Sequence, residues 1–373
     1  MPAESWERWN LYREPQYSIF GIDADCLYIF DRAYKRDPYY LPLELPLPSS
    51  IQGFCICDTQ NRVPAASFYC FPYASVRGWR KIKLLRVTRF LLLPDKKRED
   101  ENLIFHMLKE VEDLGRRAGV NAIEAEVYTQ INSKIFFPST SCAVNTYNSL
   151  EWQQILENKG FILHRATQCF EMEVDDLVNE HLFEEIRVRK YRSEDEEDRQ
   201  RYYNLWSSSD DCPYDFGHTG FWYQNVFGWP RVWYSEYPHF LNKDDYILFA
   251  EKNGEALGFI HWWPNIYPLL IKDGRKAIYL SREEVQKKLE QIDEAKIFKI
   301  AVNRKAKKDR DVIEKALICK AAELMKGKFG IRKCQIGNIP HERKQLTSYI
   351  TGQGGQLVHD VALMRKALFP WGR

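Results

Sequence analysis

The chain has 373 residues, of which 45% are hydrophobic, 14% aromatic and 28% charged. This length predicts about two domains, and the composition is that of a folded chain with enough apolar residues to form buried cores. The net charge of +2 does not indicate a nucleic-acid-binding or membrane-surface protein, so neither nucleic acid nor a membrane is expected as a partner.

The N-terminus and the cysteines indicate the compartment. The first residues have neither a basic start nor an apolar core, so they do not form a signal peptide, and the longest aliphatic run, RFLLLP, is too short to span a bilayer. The nine cysteines are odd in number and scattered, with a C-x-C pair at Cys55 and Cys57. This pattern favours buried reduced thiols over disulfides or metal ligands. The sequence predicts a cytoplasmic protein without a bound metal and leaves the oligomeric state open.

In the first half, a proline-rich stretch precedes alternating strands and helices. Residues 37–50 carry four prolines in fourteen positions, which predicts an extended segment rather than a helix. A strand–turn–strand pattern follows over residues 53–71, and then a strand over Val87–Leu93. A charged loop, an amphipathic helix, Gly119, a second strand, a further helix, Gly160 and a final strand complete the half.

The second half repeats this order after an aromatic insertion. Residues 207–240 are rich in Trp, Tyr and Phe, and they predict either a helix–loop pair packed on a sheet or the wall or lid of a pocket. Two alternating strands joined by Asn253–Gly254 predict a hairpin. The strand Phe298–Val302, a basic loop, a helix, Gly330, a strand, a helix and a last strand follow.

The two halves are copies of one architecture. Lys96 and Lys307 are 211 positions apart (307 − 96), as are Gly119 and Gly330 (330 − 119). We therefore predict an α/β (α+β) fold with two tandem domains, each a mixed, mostly antiparallel sheet flanked by helices. Residues 1–178 would form a structural or degenerate first domain, and residues 179–373 a ligand-binding second domain. One undivided sheet, or central strands of the second module that stay paired with no gap for a ligand arm, would refute this interpretation.

The element order, the stretch ILENKGF and the stretch FKIAV resemble the GNAT acyltransferase fold, here present twice. The segment Phe30–Pro42 is also similar to the N-terminal stretch of tandem GNAT proteins. The resemblance implies acyl-CoA, such as acetyl-CoA, bound where two central strands splay apart. The backbone of Ile300, Ala301 and Val302 would then hydrogen-bond the pantetheine arm, and the following loop would bind the pyrophosphate.

The loops after both candidate strands depart from the family pattern, because neither contains the glycines of (Q/R)-x-x-G-x-(G/A). In one hypothesis the second loop binds phosphate by charge, through Lys307, Lys308 and Arg310 together with Arg304 and Lys305. In the other it is a solvated turn whose acids partly neutralise its bases. The first loop carries a carboxylate triplet, Glu99–Glu101, that would repel CoA, so the second half is the better candidate.

Acyl transfer to an amine needs a base for the amine and an acid for the leaving thiolate. The resemblance implies a tyrosine acid in the helix before the glycine turn, where Tyr349 lies, although a tyrosine that packs the helix on the sheet is an equal alternative. His261 is the candidate base, with a structural histidine as the alternative. Glu124 and Glu126 share a strand face and predict a base, a cation site or a solvated face.

Three functions remain open from the sequence. The first is an N-acyltransferase that moves an acyl group from acyl-CoA to an amine on a small molecule or peptide. The second is a non-catalytic binding or scaffold protein with the same fold. The third is an acyl or aminoacyl transferase with a donor other than CoA.

Overall fold

The computed structural model describes residues 17–21, 52–58, 64–77, 80–92, 101–131, 152–178, 185–208, 244–264, 271–272, 275–276, 287–288 and 291–369. The proline-rich segment 37–50, the first charged loop at residues 93–100 and residues 209–240 of the aromatic segment lie outside them. The helices are α1 (Glu101–Arg117), α2 (Trp152–Asn158), α3 (Glu196–Ser208), α4 (Arg310–Phe329) and α5 (Lys344–Gly352), with 3₁₀ turns at Val174–Leu177 and Arg304–Ala306.

The strands follow the predicted order in both halves. The first half supplies β1 (Tyr17–Gly21), β2 (Gln52–Asp58), β3 (Pro64–Arg77), β4 (Arg80–Leu92), β5 (Ala122–Ile131) and β6 (Ile162–Glu173). The second supplies β7 (Arg187–Lys190), β8 (Ile247–Lys252), β9 (Glu255–Pro264), β10 (Ile271–Lys272), β11 (Arg275–Lys276), β12 (Glu294–Val302), β13 (Lys333–Pro340) and β14 (Gln356–Ala367).

Two turns that were predicted from local sequence patterns are present in the structure. Asn253 and Gly254 both have positive φ, 53° and 79°, as a two-residue hairpin turn between right-twisted strands requires. Helix α4 ends where Gly330 takes a φ of 66°, a left-handed conformation that glycine adopts without steric cost. The Ile331 amide then donates to the Met325 carbonyl at 3.0 Å, which closes the last turn.

The large sheet has twelve strands in the order β1-β2-β3-β4-β5-β14-β6-β13-β12-β9-β8-β7. Neighbouring strands are antiparallel except for two parallel pairs, β4–β5 and β12–β13. Each parallel pair is joined through one helix, α1 or α4, because parallel neighbours need a crossover connection. The predicted fold class, a mixed and mostly antiparallel sheet with flanking helices, is confirmed.

The sheet is undivided, so the prediction of two modules that lie end to end with separate sheets is wrong. The reason is that the halves exchange their last strands. β6 pairs with β13 of the second half, while β14 pairs with β5 of the first. β6 and β14 also pair with each other, antiparallel, at the centre. Each half therefore keeps its six-strand order but takes its last strand from the other, and the boundary at residues 178/179 stays a prediction.

Each half has its own core. In the first half, apolar residues of α1, α2 and β2–β5 pack together with Ala362 and Met364 of β14. In the second half, residues of β9, β12, β13 and β6 pack against α4, including Ile297, Ile336 and Phe170; we call this sheet surface the α4 face. The opposite surface carries Phe259 and Ala301 against Leu205 of α3, and we call it the α3 face.

Candidate functional site

The parallel pair β12–β13 opens into a gap. Its strands are paired from Glu294↔Lys333 to Ile297↔Ile336 and no further, although both strands continue. On its other side β12 stays paired with β9, with a bulge between Ile297 and Lys299. An extra residue in one strand bends that strand and interrupts its pairing. The result is a wedge-shaped gap whose closed end lies at Ile297 and Ile336.

The first half has the same opening. Strands β4 and β5 are paired from Leu84↔Ala122 to Val87↔Ala125 and then separate. Strand β4 also has an irregularity opposite β3 just beyond this point, between the pairs that involve Ser67 and Tyr69. The gap is thus a property of the repeated module rather than an accident of one half.

Backbone groups of β12 point into the second gap. The Asn303 amide donates to the Leu257 carbonyl at 2.7 Å, so Asn303 faces β9. Because residues of an antiparallel strand alternate in direction, Ala301 also faces β9, whereas Ile300 and Val302 turn their amides and carbonyls toward the gap. Of the three strand residues predicted to contact a pantetheine arm, two therefore offer backbone groups to it and Ala301 does not.

The loop after β12 folds on itself. It forms the 3₁₀ turn Arg304–Ala306, capped by the Asn303 side chain, which accepts from the Lys305 amide at 3.0 Å. The amides of Ala306, Lys307 and Asp309 donate to carbonyls within the same loop. These amides are engaged, so the loop does not present the open row of N–H groups that usually binds phosphate at a helix start.

The ammonium groups of the loop lysines can nevertheless contact an anionic ligand. Lys305, Lys307 and Lys308 are exposed and form no ion pair with any other described residue, while Asp311 pairs with Lys315 of its own helix at 3.6 Å. The expectation that the acids of this loop neutralise its bases is therefore not met for Asp311. Arg310 begins α4 and is half-buried. The corresponding lysines of the first half, Lys96 and Lys97, lie outside the described residues.

His261 lies on the α3 face close to the closed end. It pairs across strands with Lys299, the first pair beyond the bulge, and it is buried. Its Nδ1 is 2.9 Å from the Tyr202 hydroxyl of α3, and its ring meets Trp263 edge-on at 5.3 Å. When Nδ1–H donates to the Tyr202 oxygen, Nε2 carries a lone pair and can accept a proton. Burial raises the pKa of Tyr202, which keeps that phenol neutral.

Tyr349 lies on the other side of the sheet. It packs against the core of the α4 face, its hydroxyl is 3.5 Å from Cys319 Sγ, and the Lys315 ammonium is over its ring. Burial, and then the hydrogen bond with Cys319, raise the pKa of Tyr349. An ion pair between Arg343 and the buried Glu314 joins α5 to α4. Tyr349 and His261 do not touch, because the sheet lies between them.

A row of polar side chains crosses three strands at the closed end of each gap. In the first half Arg86, Glu124 and Arg365 are cross-strand neighbours, and Glu124 accepts from Arg86 at 3.0 Å and from Arg365 Nε at 2.8 Å. Glu124 is 1% exposed, so the alternative that it forms part of a solvated face is wrong. It belongs to a buried ion triad, and the Glu126 side chain lies outside the described residues.

The equivalent row of the second half is chemically different. Lys296 is paired with Gln335, and Gln335 with Glu171, so an amine and an amide stand where the first half has Arg86 and Glu124. Lys296 is fully buried. Burial lowers the pKa of its ammonium group, and the nearby Cys169 opposes this only in part. Lys296 is not predicted as a site residue from the sequence, because a lysine in an alternating strand resembles a solvent-facing residue.

Tyr202 and Asn303 were also missed. Tyr202 lies in the helix stretch RYYNLW, and nothing local marks its contact with a histidine 59 positions away. Asn303 carried a usable signal, because an asparagine between a strand and a short turn is a common cap.

The loop also borders an open cleft of about 610 Å³, lined by residues of α3, the β8–β9 turn and the loop, among them Arg201, Asn204, Glu255 and Lys305.

Three properties of the described part of the chain concern metal binding, membrane insertion and the state of the cysteines. No group of three or more His, Cys, Asp and Glu side chains there is placed to hold a metal ion, and no helix there is long and apolar enough to cross a bilayer. The six described cysteines are buried reduced thiols, as predicted. Burial raises the pKa of Cys169 to about 11, which keeps it a thiol.

A bulged central strand that separates from its parallel neighbour, a crossover helix at the open end and a final exchanged strand occur twice in this chain, and similar solved structures identify the arrangement as a GNAT fold. Solved structures support this description. A GCN5-related N-acetyltransferase from Sphaerobacter thermophilus superposes with a TM-score of 0.55 at 12% identity, covering 96% of this chain and 98% of its own. A tandem GNAT protein from the clavulanic acid biosynthesis pathway gives a TM-score of 0.53 at 10% identity, covering 96% and 100%.

A third similar structure belongs to a larger protein. The GCN5-related glucosamine N-acetyltransferase region of a fungal multi-domain GH3 β-N-acetylglucosaminidase gives a TM-score of 0.58 at 12% identity. The match covers 95% of this chain but 38% of that one. No protein-family model matches the sequence, and no curated protein matches it. At these identities the comparisons establish the fold, and the activity must be argued from the site.

Proposed function

We propose that the protein is an N-acyltransferase that moves an acyl group from acyl-CoA to an amine, and that the second half holds the site. The observation that carries this proposal is the gap beyond Ile297 and Ile336, with the backbone of Ile300 and Val302 directed into it. Unpaired amides and carbonyls along one edge of a strand suit a ligand arm made of amide groups. The pantetheine arm of CoA has this chemistry.

The donor phosphates would lie at the open end, near the start of α4. Because the loop amides are internally bonded, the phosphates would be bound by the ammonium groups of Lys307 and Lys308 and by Arg310, with the positive end of α4 behind them. Lysine binds phosphate as a point charge. The absence of glycine in this loop is therefore compatible with CoA, provided that charge replaces the amide contacts.

The thioester would lie at the closed end, within reach of both sheet faces. His261 Nε2, on the α3 face, takes a proton from the acceptor amine, whose nitrogen then bonds to the thioester carbon. As the carbon–sulfur bond breaks, Tyr349 on the opposite face donates its hydroxyl proton to the thiolate. The products are an amide and free CoA, and the acceptor is an amine on a small molecule or peptide.

The first half fits this chemistry less well. A buried ion triad lies at the closed end of its gap, and its loop sequence carries three consecutive carboxylates, Glu99–Glu101. The occupied amides of the second loop favour one alternative, a transferase whose acyl or aminoacyl donor lacks the CoA pyrophosphate. The other alternative is a protein that binds acyl-CoA at this site without catalysing acyl transfer.

Donor binding is the first test. Thermal unfolding is measured with acetyl-CoA and with longer acyl-CoAs, and a ligand at a hundred times its Kd should stabilise the native state by about 2.7 kcal/mol. The double variant Lys307→Glu with Lys308→Glu should lose this shift. The matched control, Lys96→Glu with Lys97→Glu, makes the same change in the first loop and should retain it. No shift with any acyl-CoA would refute a CoA donor and leave the alternative donors.

Catalysis is the second test. Release of CoA thiol from acetyl-CoA is followed with a panel of small amines and amine-bearing peptides. His261→Asn should reduce the rate by about 10²- to 10⁴-fold, the usual contribution of a positioned base, while donor binding is retained. Binding of acyl-CoA without transfer to any amine in the panel would favour the non-catalytic alternative.

A further inference from the structure

The side chain of Lys296 occupies the closed end of the second gap. Lys296 precedes Ile297, the last residue of β12 that is paired with β13. Its neighbours Ala295 and Ile297 belong to the core of the α4 face, so Lys296 points to the α3 face, where His261 and Lys299 also lie. It is fully buried.

The position of the amine can be fixed more closely from Gly337, the first residue of β13 beyond the last pair. A methyl group placed on Gly337 would be 2.9 Å from Lys296 Cε and 3.1 Å from Lys296 Nζ. The same point is 3.4 Å from Cys169 Sγ of β6. The lysine therefore lies directly over the backbone where the strands begin to separate, and glycine leaves the room that it needs.

The chemistry of the amine suits a carbonyl oxygen. A lysine nitrogen carries two or three N–H donors and accepts nothing in its charged form, so it can donate to a carbonyl oxygen. Its β13 neighbour is the neutral amide Gln335, which does not draw it into an ion pair as a carboxylate would. A buried donor at a fixed place also stabilises negative charge that develops on an oxygen during reaction.

We infer that Lys296 hydrogen-bonds the carbonyl oxygen of the donor thioester, so that the second half prefers acyl-CoA to free CoA. This inference rests on the proposed function, because it places the thioester at the closed end of the gap. It adds a residue that recognises the acyl group itself, whereas the strand backbone and the loop lysines recognise parts that acyl-CoA and CoA share.

The first half cannot make the same contact. Arg86 holds the place equivalent to Lys296, but it donates to Glu124, which also accepts from Arg365. These charges hold one another in a fixed arrangement with Arg86 2% exposed. Any preference for the acyl form therefore belongs to the second half.

The test compares two ligands on one protein. Isothermal titration calorimetry gives the Kd of acetyl-CoA and of CoA for the wild type and for Lys296→Met, which keeps the length of the side chain and removes the donors. The variant should bind acetyl-CoA about three- to tenfold more weakly, the effect of one hydrogen bond, with the Kd of CoA unchanged. Unchanged binding of CoA also shows that the variant is folded.

Two further variants complete the design. Gly337→Ala should lower the preference in the same way by pushing the amine aside, although Lys296 is intact. Lys333→Met, at the start of β13 and three pairs before the closed end, is the control and should retain the wild-type ratio of Kd values.

The outcomes separate the two proposals. If the wild type binds neither ligand, the CoA donor is refuted and this inference falls with it. If both bind but the wild type does not distinguish them, or Lys296→Met leaves their ratio unchanged, the inference is overturned while the proposed function stands. An equal loss of both ligands in Lys296→Met would make the lysine structural and would also overturn it.

Discussion

Replacing Glu124 by glutamine would leave two arginines facing a neutral amide inside the sheet. Glu124 lies between Arg86 and Arg365, and the exposed fractions of the three side chains are 1%, 2% and 16%. Glutamine has the same shape as glutamate, so the packing is retained and the charge is lost. Arg86, which has almost no access to water, would lose the charge of the carboxylate to which it donates.

The cost can be estimated from this geometry. Two unit charges about 3 Å apart attract by about 5 to 6 kcal/mol at an effective dielectric constant near 20, but part of this offsets the desolvation of the charges. Removing one partner of a buried pair typically costs about 3 to 5 kcal/mol. We expect Glu124→Gln to fall in this range, since Arg86 cannot turn to solvent, whereas Arg365 partly can.

Equilibrium unfolding in urea, followed by far-ultraviolet circular dichroism and by fluorescence, gives the free energy of unfolding. Glu323→Gln is the matched control: its carboxylate pairs with Lys320 at the surface of α4, with exposed fractions of 38% and 47%. Such a pair contributes less than about 1 kcal/mol. A loss of less than about 1 kcal/mol for Glu124→Gln would refute the view that the triad is a buried electrostatic unit.

The other predictions concern the second row, the strand contact and acid stability. Gln335→Glu and Glu171→Arg together rebuild the charge order of the first row, so a double-mutant cycle should show a favourable coupling of about 1 to 3 kcal/mol between them; additive effects would contradict this. Gly258→Ala places a methyl group 2.7 Å from a β12 carbonyl oxygen and should lower the melting temperature by several degrees. Burial alone would raise the pKa of Asp198, but hydrogen bonds, chiefly from Arg189, hold it below its ordinary value of 3.8. Its stabilisation is therefore complete above about pH 4 and is lost as the pH falls through the lower folded-state pKa, so Asp198→Asn should show a smaller acid loss of stability than the wild type.

The sequence predicted features whose signals are local. The Asn253–Gly254 turn depends on a conformation that few residue types adopt, and the repeat was visible because helix ends and loops recur 211 positions apart. The exchange of β6 and β14 could not be predicted in this way. Alternation of apolar and polar residues indicates which face of a strand is buried, but it does not identify the neighbouring strand.

The candidate site was predicted in part for the same reason. The splayed strand and the loop are contiguous in sequence, so the resemblance identified them together. The contact of His261 with Tyr202 and the place of Lys296 depend on residues brought together from separate strands and a helix. Lys296 and Lys299 resemble exposed residues in the stretch EAKIFKIAV, yet both point to the α3 face, because the bulge at position 298 shifts the alternation by one residue.

The exchange of β6 and β14 links the gap of the second half to a strand of the first half. β13 borders the gap on one side and is paired with β6 of the first half on the other. Without β6, strand β13 would be an edge strand beside the site, with a row of unpaired backbone groups. No neighbouring strand would then hold β13 in place where it separates from β12. β14 would likewise lose its partner β5. We therefore expect the gap in the second half to depend on the first half, independently of whether the first half binds a ligand of its own.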